Sequence, residues 1–157
     1  MTWRTAGPED AAVLRDLERE ANLVGLAHVF PGLPFPDEGV LARWEATLAD
    51  PAVTVEVYAD PAPVVLLAHD AAGRLRHLAV APERWGTGLG RAAVDRAVAA
   101  MTAAGSVPTL WVLVTNHRAR SLYDRLGWEP TGLEQQAEWP PYPTEMQLRL
   151  PESRHGR

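Results

Sequence analysis

Apolar residues recur at Val13, Leu14, Leu17, Ala21 and Val24, the spacing of one helical face. Pro8, Glu9 and Asp10 stand before them, and proline followed by acids suits the positive first turn of a helix. A first helix is therefore expected to run to about Leu26. Three prolines and a glycine in Phe30-Pro31-Gly32-Leu33-Pro34-Phe35-Pro36 forbid regular structure there. Val40, Leu41, Trp44 and Leu48 give a second helix, ended by Asp50-Pro51. The period then shortens: Val53 to Ala59, Pro63 to His69 and Arg74 to Val80 read as three strands, joined near the end by a tight Asp70-Ala71-Ala72-Gly73 turn. Leu89, Ala92, Ala93, Ala97, Ala100, Met101 and Ala104 restore the helical period up to Gly105. Thr109 to Thr115 reads as a buried strand, and Ala119, Leu122, Tyr123 and Leu126 as a helix closed by Gly127. Two short strands follow Trp128, around a Trp139-Pro140-Pro141-Tyr142-Pro143 loop, and Trp3 to Ala6 is a further candidate strand. This order predicts an α/β (α+β) chain with a mixed sheet and helices on both faces.

The 157 residues suit one domain, expected over 1–150 with a frayed tail at 151–157. A composition of 46% hydrophobic and 22% charged residues supports a core and argues against disorder. The net charge of −5 argues against a non-specific nucleic-acid binder. No apolar run is long enough to span a membrane and no secretory signal is visible, so a soluble cytoplasmic protein is expected. Zero cysteines exclude a thiolate metal site and a thiol nucleophile, and the five histidines show no ligand spacing, so no metal is expected. All 15 cations are arginine, which removes lysine from the catalytic candidates.

The densest signal is Val80-Ala81-Pro82-Glu83-Arg84-Trp85-Gly86-Thr87-Gly88-Leu89-Gly90: a strand, three glycines spaced by two, then a helix. Backbone N–H groups free of side chains at a helix N-terminus form an anion site. A nucleoside-triphosphate loop would need Lys-Ser or Lys-Thr, and a dinucleotide fingerprint would need glycine where Arg91 stands, so both fail. Downstream, Asn116, Ala119, Tyr123, Gly127 and Trp128 form N-x-x-A-x-x-x-Y-x-x-x-G-W, and Leu75, Leu78, Val80 and Pro82 form L-x-x-L-x-V-x-P. Together with the glycine turn, these motifs resemble the GNAT superfamily of acyl-CoA N-acyltransferases from about Arg74 to Trp128, and the element order extends the resemblance over nearly the whole chain.

The resemblance implies a mostly antiparallel central sheet splayed between its fourth and fifth strands, and acetyl-CoA as cosubstrate. It puts the pyrophosphate on the N–H groups of Trp85, Gly86, Thr87, Gly88, Leu89 and Gly90, with Arg84 and Arg91 at the phosphates. It lays the pantetheine arm along Leu78, Ala79 and Val80, with the Leu78 N–H polarising the thioester carbonyl. Tyr123 takes the place of the general acid that protonates the departing thiolate. Asn116 would contact the pantetheine amide or tether its helix, and Arg120 would reach the CoA side. Two departures stand out. Trp85 replaces the family's usual Gln or Arg, and Thr87 its usual basic residue, so phosphate binding leans on backbone, the Thr87 hydroxyl and flanking arginines. Where the family often carries a Glu or His base beside Leu78, alternation puts Arg74 and Arg76, with His77 on the other face. A base at His69 or Asp70, a water relay, or an amine arriving neutral all stay open. An arginine facing the site would attract an acceptor carboxylate or phosphate; otherwise both arginines face solvent.

In the family the acceptor pocket lies between the first interhelical loop and the last interstrand loop. Here that implies Phe30, Phe35, Trp139 and Tyr142, with His28 as a further contact. Asp37, Glu38, Glu134 and Glu138 flank these loops as attractors of a cationic amine or as plain solvated charges. Of the six tryptophans, Trp44 and Trp111 are expected in the core. The expected activity is acetyl transfer from acetyl-CoA to a small-molecule amine, directly in a ternary complex. A peptide or protein N-terminal acetyltransferase and a non-catalytic CoA-binding module are the alternatives. Homodimers are frequent in the family, and the sequence marks no interface.

Overall fold

The computed structural model describes residues 2–152. Its elements are β1 (Thr2–Thr5), a 3-10 turn (Pro8–Asp10), α1 (Ala11–Gly25), α2 (Asp37–Ala49), β2 (Val53–Ala59), β3 (Pro63–Asp70) and β4 (Arg74–Val80). A second 3-10 turn (Pro82–Arg84), α3 (Leu89–Ala103), β5 (Thr109–Leu113), α4 (His117–Arg125), β6 (Glu129–Gln136) and β7 (Thr144–Arg149) complete it. The expected order holds, and the candidate strand at the N-terminus forms. Of the expected tail, residues 153–157 lie outside the described residues. The buried strand stops two residues early, at Leu113, because Asn116 turns the chain into α4 and caps it, its side chain accepting from the Ala119 N–H at 3.2 Å.

All seven strands join one sheet in the order β1-β2-β3-β4-β5-β7-β6. Every neighbouring pair is antiparallel except β4 and β5, which run parallel and pair only at Arg74 with Thr109 and Leu75 with Leu110. Beyond Leu75 the two strands part, and the sheet opens between its fourth and fifth strands as expected.

Helices cover both faces. His77 rests on Trp44 of α2, with ring centroids 4.9 Å apart. The adjacent Val80 side chain lies on the opposite face, where a Cβ at Gly90 of α3 would sit 3.9 Å from its Cγ2. Because β3 is covered on both sides, Val64 to His69 are all buried, a continuous apolar run ending in one histidine rather than an alternating pattern. Trp44 is fully buried, as expected for a core residue, and its indole N–H donates to Glu18 Oε1 at 2.9 Å. Trp111 is not in the core: it lines the opening between β4 and β5, and Trp128 is the second buried tryptophan.

Candidate active site

Three hollows follow the opening of the sheet. A cleft of 890 Å³ runs from Leu78, Ala79 and Val80 of β4 across Arg84, Trp85, Gly86 and Gly88 to Leu89, Gly90 and Arg91 of α3. Its other wall is Asn116, Arg118, Ala119, Leu122 and Arg125 on α4 and its cap. A central cavity of 180 Å³ lies inside the opening, lined by Arg76, His77, Leu78, Trp111, Asn116 and Tyr123 among others. A third pocket of 330 Å³ lies between the loop after α1 and the loop before β7. Leu78, Ala79, Asn116 and Ala119 border both the cleft and the cavity, and Glu18 and Asn22 border both the cavity and the third pocket. Asn22 touches all three.

Backbone geometry shapes the cleft. Gly86 and Gly88 sit at φ 77° and 86°, left-handed values that a side chain disfavours, and an added Cβ on either would enter open space. Gly88 is the N-cap of α3, so free N–H groups of the first turn meet the cleft there. On β4, the Ala81 N–H donates to Val64 O of β3 at 2.8 Å. Successive N–H groups point to alternate sides of a strand, so those of Leu78 and Val80 turn to the unpaired edge.

Trp85 is held by contacts to β4, α1 and α4. Its indole N–H donates to Val80 O at 2.8 Å, and its ring approaches Gly25 of α1. The Arg118 guanidinium stacks on the same ring, 3.8 Å from the centroid. Arg118 and Arg125 are cleft residues that the sequence reading missed. The i, i+7 spacing of Arg118 and Arg125 on one helix was the available signal.

Several expected cofactor contacts are engaged elsewhere. Arg84 lines the cleft, but its guanidinium holds Asp60, at 2.9 Å to Oδ2 and 3.1 Å to the carbonyl. The Thr87 hydroxyl donates to Arg84 O, so it is no longer a free donor for phosphate. Arg120 donates to Val114 O at 2.7 Å and faces a separate surface hollow with His117 and Trp128, not the cleft. Arg91 stays open to solvent in the first turn of α3, 3.8 Å from Asp95. Asn116 tethers α4, one of the two roles expected for it.

Tyr123 is buried at the inner end of the central cavity, edge-on to Trp128 with centroids 5.7 Å apart. Burial raises its phenol well above the ordinary value, because the phenolate would lose its water. The group therefore stays protonated at neutral pH.

The alternation expected along β4 fails at Arg76. Ala68 pairs with His77 and His69 with Leu75, so Arg76 is the extra residue of a β-bulge. Leu75 thus shares the face of Leu78, and Arg74 moves to the His77 face. Arg74 and Arg76 both approach Asp70 Oδ2, at 3.8 and 3.5 Å, and only Arg76 borders the cavity. The two guanidiniums share that one carboxylate. Asp70 is also spent on the turn, accepting from the N–H groups of Ala72 and Arg74 at 3.0 and 3.1 Å. His69 lies on the α3 face beside Glu56 and Arg96, away from the cavity. Neither His69 nor Asp70 borders the cavity, whose carboxylates are Glu18 and Glu145.

On the acceptor side Phe30, Phe35 and Trp139 come together in the third pocket, with Leu23, Leu26, Leu33, Pro34, Pro36 and Pro140. Trp139 lies against Gly39 of α2, where a Cβ would meet its ring at 2.5 Å. Tyr142 is half exposed at φ 57° and does not join the wall. His28 binds Thr115 O through Nε2 at 2.7 Å and stacks near His117, bridging the α1 loop to the end of β5 rather than lining the pocket. Glu18 was not foreseen. It belongs to no motif and is placed by tertiary packing alone.

A model of the Acetyltransferase (GNAT) family matches residues 3–128. The chain belongs to the GNAT acetyltransferase family. It is thus an acyl-CoA N-acyltransferase by family, and its sheet has that family's splay. Among solved structures, an acetyltransferase from Thermus thermophilus shares the fold at TM-score 0.73 and 20% identity, covering 97% of this chain and 98% of that one. A point mutant of the spermidine N-acetyltransferase SpeG from Vibrio cholerae aligns at TM-score 0.67 and 19% identity, over 96% and 94%. The putative acetyltransferase yncA from Salmonella typhimurium, solved with its cofactor acetyl-CoA, aligns at TM-score 0.67 and 21% identity, over 98% and 95%. No curated protein sequence matches this GNAT chain. The family match ends at Trp128, so β6, β7 and the Trp139 loop lie beyond it.

Proposed function

We propose that this GNAT chain transfers the acetyl group of acetyl-CoA to the amine of a small molecule, directly and within a ternary complex. The observation that carries the reading is the continuity of the three hollows through Leu78, Asn116 and Asn22. Donor and acceptor can then reach the central cavity from opposite ends, with Tyr123 between them. In this reading Gly86, Gly88, Leu89 and Gly90 hold the pyrophosphate through backbone N–H groups, aided by Arg91, Arg118 and Arg125. Pantetheine lies along the free edge of β4. The Leu78 N–H supports the oxyanion as the amine nitrogen bonds to the carbonyl carbon. The C–S bond then breaks, the thiolate takes the Tyr123 proton, water carries off the extra proton from the new amide nitrogen, and the phenolate regains a proton from solvent. The absence of cysteine excludes a thioester intermediate on the enzyme. A compartment that supplies acetyl-CoA, the cytoplasm, is implied.

The test is CoA release from acetyl-CoA against pooled amines, with products identified by mass. An N-acetylated product that requires the enzyme is expected. Binding of acetyl-CoA with no product from any amine or short peptide would overturn the proposal.

A further inference from the structure

The acceptor pocket itself narrows the substrate class, and this inference rests on the acetyl transfer proposed above. Its wall is apolar apart from Glu18 and Asn22, and its volume of 330 Å³ suits a small organic molecule. The Glu18 side chain is only 13% exposed. Trp44 Nε1 and the Arg43 guanidinium both donate to its Oε1, and Oε2 has no hydrogen-bond partner among the described residues. Arg43 is shared with Glu138, at 2.9 Å. The trio of Glu18, Arg43 and Glu138 thus carries a single net negative charge, with Glu18 at the junction of pocket and cavity. That balance suits one ammonium. An acceptor with several cations would bury the others against Phe30, Phe35 and Trp139 without partners. An acceptor carboxylate among these rings would find no cation in the pocket wall, since Arg43 is engaged by two acids and Arg76 borders the cavity instead.

We infer that the acceptor is a primary monoamine on an aromatic or bulky apolar body, held as the ammonium at Glu18, where it gives up one proton to water before the neutral nitrogen attacks. The body lies among Phe30, Phe35 and Trp139. Asn22, which borders all three hollows, stands beside the path of the amine into the cavity.

The experiment measures acetylation of 2-phenylethylamine, n-butylamine, spermidine and L-phenylalanine, together with calorimetric binding of each amine to the CoA complex. The expected result is tightest binding of 2-phenylethylamine, with kcat/KM at least about tenfold above each of the others, from apolar burial and a single satisfied charge. Preference for spermidine or L-phenylalanine overturns the inference while acetyl transfer stands. Binding of 2-phenylethylamine without product supports the pocket assignment and counts against transfer. Failure of every amine to bind overturns the assignment. Glu18→Gln is expected to raise the KM for 2-phenylethylamine about tenfold, the scale of one charge-assisted hydrogen bond, with the acetyl-CoA Kd unchanged. Because Glu18 also supports Arg43, Leu33→Arg at the exposed rim is the second variant. It should raise the same KM by repelling the ammonium, without lowering Tm, and an unchanged KM overturns the inference.

Discussion

The cleft proposed for the cofactor is shaped by backbone, whereas the acceptor pocket is shaped by side chains. In the cleft, two glycines at positive φ, the N-terminus of α3 and the unpaired edge of β4 present N–H groups at positions fixed within a short stretch of sequence. In the pocket, Glu18, Phe30 and Phe35 come from α1 and the loop after it, and Trp139 from the distant loop before β7. A backbone site tolerates changes of neighbouring side chains and demands particular residues only where conformation is extreme. A side-chain site is free to change its specificity one residue at a time while the fold stays intact. The family match covers the cleft and the α1 side of the pocket and stops before the Trp139 loop.

The sharpest way to break the contrast is at the point where both sides meet. Tyr123→Phe removes one oxygen and keeps the packing against Trp128, so kcat is expected to fall about a hundredfold with the acetyl-CoA Kd unchanged. Stopped assays and calorimetry on the same preparation decide it. If kcat holds, thiolate departure needs no acid and the cavity only positions the reactants.

Gly88→Ala tests the backbone side. A side chain at φ 86° costs about 1–2 kcal/mol, and relaxing that strain would turn the first N–H groups of α3 away from the cleft. The KM for acetyl-CoA should rise about tenfold, with the relative rates among amines unchanged. Arg118→Gln is expected to act less strongly, by about fivefold on the same KM, and more at low salt, because it removes one screened cation beside Trp85. An equal effect at all salt concentrations would show that Arg118 serves Trp85 rather than phosphate.

The smallest effect concerns acid. His77 sits on Trp44 beneath the acceptor side, and burial, with Arg43, Arg76 and Arg74 nearby, holds its imidazole well below the usual value. A depressed histidine contributes stability that is complete above its unfolded pKa of about 6.5 and is lost as pH falls towards its folded value. Tm should therefore decline between about pH 6.5 and 5, and His77→Gln should flatten that slope. Asp10 behaves similarly at lower pH. Its carboxylate is held below the usual range by two 3.0 Å bonds from Arg4 and by the Gly7 N–H, so its contribution disappears only under stronger acid, below about pH 4. A Tm profile of the Arg4→Gln variant separates the two.

The sequence alone determined the order of elements, the glycine turn and the place of Tyr123 on α4. Each depends on short-range rules: helical or strand period, glycine at a positive φ, a cap at Asn116. It also pointed to the two loops that meet in the third pocket, although it placed Tyr142 and His28 there as well. Tertiary structure decided the rest. One extra residue at Arg76 moved Arg74 to the opposite face, because a bulge depends on pairing with β3 and leaves no mark in the period of β4. Arg84, Arg120 and Thr87 found partners within the protein, and a guanidinium with five donors satisfies whichever acceptor the fold brings nearest. Glu18 reached the junction of pocket and cavity only when α1, α2 and the Trp139 loop converged around it. A charge on a helix reads as a solvated face until distant packing buries it.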